Sequence, residues 1–236
     1  AHTIILRSAI WYFYTGEPVL MSDCRKYIEF LEDKEGMYHA DPIVPVAHAV
    51  YNAVNDDAAA AIKTLEGMDR EMLLAGQREF WLGVAHERNG DLPQSEGLLR
   101  KAVELNDTPW NRFALGRVLD KQGKADDAKA EYQKVLQANP EFHAAEAYLL
   151  LLNLTPESDV KTQIEGVFAK YPGAVEARIA SDLTIPLATA LVLAGDEKNA
   201  KSAIQQAKIN DPGYKPLLDW KPPAPPEPEE DADKKK

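Results

Sequence analysis

Between residues 76 and 140 the apolar positions recur every three to four residues, break at a glycine, resume, and then the whole pattern is written again. This spacing predicts helices, because residues i, i+3, i+4 and i+7 share one helical face. A first helix is expected over about Glu71 to Arg88, closed by Asn89-Gly90-Asp91. A second follows with Pro93 in its first turn and Ser95, Leu98, Leu99, Ala102 and Val103 as its apolar stripe. Residues 109–138 follow in kind. Leu82-Gly83 aligns with Leu115-Gly116, Gly90 with Gly123, Leu99 with Tyr132, and Val103-Glu104-Leu105 with Leu136-Gln137-Ala138, an offset of 33 residues. A self-similar unit of this length is one antiparallel helix pair. It cannot bury its apolar face alone and must stack on its copies. Leu82, Leu99, Leu115 and Tyr132 are expected between helices, with Gly83 and Gly116 at tight crossings.

The same scheme extends in both directions. Residues 3–14 are apolar, Thr15-Gly16-Glu17-Pro18 is a turn signal, and Ser22 to Gly36 places Tyr27, Phe30 and Leu31 on one helical face. The aromatic run Trp11 to Tyr14 is read as core packing against that face rather than as an interfacial anchor, being too short to span and weakly basic. Residues 41–68 make a degenerate pair around Asn55-Asp56-Asp57. A third pair, 141–170, turns at Thr155 to Ser158, and a fourth, about 175–209, turns at Gly195-Asp196. Gly213 to Trp220 is expected to cap the last pair. From Lys221 the chain has five prolines, an acidic run and three terminal lysines, so it is expected to be disordered. Its Pro-rich PxxP spacing is read as a solvated spacer, since acidic Glu227, Glu229 and Glu230 follow where such ligands carry basic neighbours. The organisation expected is thus 1–70 degenerate hairpins, 71–220 clear repeats with a cap, and 221–236 a tail.

Composition narrows the function classes. A chain of 236 residues with 45% hydrophobic and 28% charged residues is ordinary for a globular protein. A net charge of −11 argues against a nucleic-acid surface. No apolar run approaches the roughly 18 to 20 residues of a membrane helix. The single cysteine, Cys24, allows no intrachain disulfide. The chain starts at Ala1; a trimmed Met, a removed leader and a fragment all fit, so cytoplasmic and exported locations both stay open.

The spacings resemble tetratricopeptide repeats. Leu82, Gly83, Gly90, Asp91 and Ala102 match the family pattern in one unit. Leu115, Gly116, Gly123, Ala128, Tyr132 and Pro140 match in the next, and Gly195, Asp196, Ala200, Ala207 and Pro212 in the last. Ser95 and Val135 stand where alanines are usual, Asp107 where proline is, and Leu150 where glycine is. The resemblance implies an all-α fold, a right-handed α-solenoid of about six antiparallel helix hairpins. It also implies that the first helix of each hairpin lines a concave groove. Carried over, the groove residues are Gln77, Phe80, Val84, Glu87 and Arg88, then Trp110, Phe113, Arg117, Asp120 and Lys121. Phe80, Trp110 and Phe113 can equally pack between neighbouring hairpins. Some family members grip a C-terminal carboxylate through Lys and Asn; Phe80 and Val84 stand at those positions here. Arg88, Arg117 and Lys121 would form a cationic rim for an acidic peptide, with Glu87 and Asp120 opposing it.

No chemistry-bearing motif stands beside this pattern. The five histidines lack metal spacing, and the phosphate-loop, nucleophile-elbow and dinucleotide signatures are missing. Asp56-Asp57 and Asp126-Asp127 open second helices, where carboxylates favour the helix N-terminus. No catalytic residue, metal or cofactor is nominated. The function expected is a non-enzymatic scaffold or adaptor that binds a protein or peptide of unknown identity. The alternative is a non-catalytic arm of an enzyme complex.

Overall fold

The computed structural model describes residues 26, 28–29, 43–54, 57–68, 73–155, 158–170, 177–212 and 215–223. Apart from three helical residues around Ile28, the hairpin expected over 3–36 lies outside the described residues, as do Cys24 and the tail from 224. The chain divides into two compact units, residues 1–153 and 154–236. Every described element is helical, and no strand occurs among the described residues.

The first unit contains α1 (Ile43–Val54), α2 (Ala58–Gly67), α3 (Gln77–Arg88), α4 (Leu92–Leu105), α5 (Pro109–Lys121), α6 (Ala125–Ala138) and α7 (His143–Asn153). Helices pair as α1/α2, α3/α4 and α5/α6, and each pair stacks on the next through α2/α3, α4/α5 and α6/α7. First helices also touch directly, α1 on α3 and α3 on α5. This is the nearest-neighbour packing of an α-solenoid. The degenerate hairpin 43–67 and the clear repeats fall in the same compact unit.

Local chemistry places the turns. At Gly90 and Gly123 φ is 84° and 75°, left-handed backbone that a side chain would strain. Both close a helix in the same way. Gly90 N donates to Glu87 O and Asp91 N to His86 O; Gly123 N donates to Asp120 O and Lys124 N to Leu119 O. These paired bonds satisfy the terminal carbonyls that the helix leaves open. Helix starts are capped by side chains: Asp57 accepts from Ala60 N, Asp91 from Gln94 N, and Thr108 from Asn111 N. Helix α3 starts at Gln77 rather than near Glu71, because Gly76 at φ 82° cannot continue a right-handed helix from residues 73–75.

The two crossings expected from the glycines are close. A Cβ on Gly83 would lie 2.6 Å from Leu99 Cγ, and one on Gly116 would lie 2.6 Å from Tyr132 Cε1. Leu82, Leu99, Leu115 and Tyr132 are all buried. Ser95, which stands where the pattern wants alanine, donates its hydroxyl to Gly83 O at 2.7 Å, so its burial is satisfied.

The second unit contains α8 (Val160–Lys170), α9 (Ala177–Leu193), α10 (Glu197–Asn210) and α11 (Lys215–Asp219). The hairpin expected over 141–170 therefore falls across the division, with α7 in one unit and α8 in the other. Helices α9 and α10 form the hairpin expected at Gly195-Asp196. Leu217 of α11 packs with Ala188, Ala200, Ile204 and Ala207, and Trp220 packs against the same cluster.

Candidate partner-binding face

Helix α3 is enclosed by α1, α2, α4 and α5, and α5 by α3, α4 and α6. That crowding decides which groove residues reach the surface. Phe80 is 4% exposed, Val84 0% and Phe113 1%. Phe80 meets Trp81 edge-on at 4.9 Å, and Phe113 lies against Tyr132, Phe142 and Tyr148 at 5.1 to 5.7 Å. Of the two placements left open for these phenylalanines, both side chains take the interior one. Gln77, Trp110, Arg117 and Asp120 are half-buried, and Arg88 and Lys121 are exposed. The Trp110 ring is braced edge-on by Phe142 at 4.6 Å.

Glu87 is buried and links successive repeats. Its Oε1 accepts from Lys121 Nζ at 2.6 Å and from Arg117 Nη2 at 3.2 Å. Burial alone would raise this carboxyl. The Arg117 and Lys121 charges, the Lys121 hydrogen bond and the Arg88 charge outweigh burial and hold it at about 2, from an ordinary 4.5. Burial, reinforced by Arg117 and Arg88, lowers Lys121 against the pull of Glu87. Two of the three rim cations are thus engaged by a carboxylate of the protein itself, which weakens the case for an acidic peptide.

A second charge cluster lies away from the groove positions. Arg112 donates to both Asp107 oxygens at 2.5 and 2.6 Å and to Glu131 Oε2 at 2.7 Å, while Lys134 donates to Glu131 Oε1 at 2.7 Å. Hydrogen bonding from Arg112 holds Asp107 below its usual range. This clip ties the α4–α5 loop to α5 and α6, at the position where the family pattern has proline.

Sequence reasoning missed a pair of helix-end brackets. Arg78 donates to Leu65 O and Glu66 O, at the end of α2. Asn111 donates to Ala102 O and Asn106 O, at the end of α4. The two residues are one 33-residue period apart, and each donates to backbone carbonyls at the end of the preceding hairpin's second helix. Their spacing was the available signal; their different side chains hid it. Beside Asn111 lies a recess of about 140 Å³, lined by Gln77, Phe80, Trp81, Asn106, Thr108, Trp110 and Asn111.

This hairpin frame, with glycines under large residues at one period, meets a direct match in sequence. Residues 111–142 match the tetratricopeptide repeat. Tetratricopeptide repeats are in general protein–protein interaction modules. A solved structure of the C-terminal part of a TPR repeat-containing protein from Cytophaga hutchinsonii is 15% identical to this chain, covering 91% of it and 98% of its own length at a TM-score of 0.35. No curated protein matches the chain. No described helix is long and apolar enough to cross a membrane.

Proposed function

We propose that the first unit is a binding scaffold whose partner, a protein or peptide, contacts the outer sides of α3 and α5. The observation that carries this reading is Trp110. It is a large aromatic left half-exposed beside a recess, immediately before the residues that match an interaction repeat, while Phe80 and Phe113 are inside. Aromatic anchors at pockets supply much of the energy of interfaces. The contact set is narrower than the ten carried-over positions. Gln77, Arg88, Trp110, Arg117, Asp120 and Lys121 supply contacts, and Phe80, Val84, Glu87 and Phe113 hold the frame beneath them. The absence of a convergent catalytic motif in the sequence favours this scaffold over an enzyme.

The test is affinity capture with the intact chain, identifying partners by mass spectrometry, against Trp110→Ala and Arg88→Glu variants first shown to keep the wild-type melting profile. Loss of the same partner in both variants supports the face. Equal capture by all three proteins excludes it.

A further inference from the structure

We infer that the recess between the two clear repeats is a subsite for one uncharged, ring-sized side chain carrying a hydrogen-bond donor, and specifically for a tyrosine of the partner. This deepens the scaffold reading and rests on it for the occupant being part of a peptide.

Size comes first. The recess holds about 140 Å³. An apolar cavity of about 150 Å³ in another protein accepts one benzene molecule, so the space suits a single ring. The walls suit a ring as well. Phe80, Trp81 and Trp110 contribute aromatic surface, and two of them are already ordered by edge-on partners, Phe80 by Trp81 and Trp110 by Phe142. Such rings favour edge-to-face and offset contacts with another aromatic.

Polarity then selects among rings. No lysine, arginine, aspartate, glutamate or histidine lines the recess, so a charged group entering it would lose water and gain no counter-charge. Asn111 gives the direction of the hydrogen bond. Both of its close partners, Ala102 O and Asn106 O, are acceptors, so the atom facing them must be the amide nitrogen. The remaining atom is the carbonyl Oδ1. It accepts no hydrogen bond from the described residues, although Asn111 is only 7% exposed and lines the recess. A phenol can answer Asn111, since its O–H donates to Oδ1. Phenylalanine would bring no donor to that oxygen, and phosphotyrosine would bring uncompensated charge.

The experiment titrates the full chain with N-acetyltyrosinamide, N-acetylphenylalaninamide and N-acetylphosphotyrosinamide while following the indole N–H resonances of its four tryptophans by NMR. The expected result is saturable shifts of the Trp81 and Trp110 resonances with the tyrosine probe. Binding of the phenylalanine probe should be about five- to tenfold weaker, as for one lost hydrogen bond, and the phosphorylated probe should produce no shift. Asn106→Phe, at an exposed residue whose side chain makes no bond, should fill the recess and abolish the shifts. Gln77→Phe is the second filling variant if the first does not fold. No saturable shift, equal binding of the phenylalanine or phosphorylated probe, or shifts that persist in a folded filling variant would each overturn the subsite. Because the probe is a single residue, its failure leaves the capture experiment intact. Conversely, unchanged capture with positive titrations would remove the face and overturn a partner's tyrosine as the occupant.

Discussion

The two clear repeats, 77–105 and 109–138, share a backbone frame and fill it differently. In both, a glycine on the first helix admits a large residue from the second, but the guest is Leu99 in one and Tyr132 in the other. In both, a side chain brackets the preceding helix, but it is Arg78 in one and Asn111 in the other. Ser95 reaches across to Gly83 O where its counterpart Ala128 adds only bulk. Phe80 meets Trp81 edge-on, while its counterpart Phe113 lies against Tyr132, Phe142 and Tyr148. The repeat therefore prescribes where backbones approach and leaves the filling to each interface. That is why self-similarity is visible at the glycines and faint elsewhere.

The comparison can be broken most severely at the phenylalanines. Phe113→Ala should destabilise by about 3 to 5 kcal/mol, the range for a large aromatic removed from a core. Urea unfolding of the variant decides this, and an unchanged midpoint would show that the ring cluster adds nothing. Next is the charge that links the two repeats. Glu87 has its folded pKa depressed from 4.5 to about 2, so its stabilisation is present above pH 4.5 and is lost as pH falls toward 2. The stake is on the order of 3 kcal/mol, because each pKa unit corresponds to about 1.4 kcal/mol. Melting temperatures between pH 5 and pH 2 should fall more steeply for the wild type than for Glu87→Gln; parallel curves would remove Glu87 from the account.

The glycines give a finer contrast. Gly116→Ala should cost about 1 to 3 kcal/mol by overpacking, against a helix-propensity gain of about 1 for leaving glycine. Gly83→Ala should cost less, since an aliphatic leucine can turn where a tyrosine ring edge cannot. Calorimetry of the two single variants tests the order, and a more damaging Gly83→Ala would reverse the argument. The smallest effect belongs to Ser95→Ala, which makes the first repeat resemble the second there. It should cost about 1 kcal/mol for the hydroxyl bond to Gly83 O. A gain in stability would mean that the hydroxyl is tolerated rather than useful.

Much of this was legible from the residues alone. Glycines at one period located the turns, and the 3.6-residue stripe located the helices. Leu82, Leu99, Leu115 and Tyr132 were legible as core because each lies on a stripe facing its own hairpin partner. These are local properties, set by φ preferences and by which side chains share a helical face. What only the tertiary structure decided is the fate of the first helices. Phe80, Val84, Glu87 and Phe113 occupy carried-over groove positions, yet α3 and α5 each have neighbours on several sides, and those neighbours cover them. Periodicity within one helix cannot report a contact made by the next repeat. For the same reason the Glu87 link to Arg117 and Lys121, and the recess beside Asn111, had no sign in either repeat alone. Each is assembled from residues that come together only when one hairpin stacks on another.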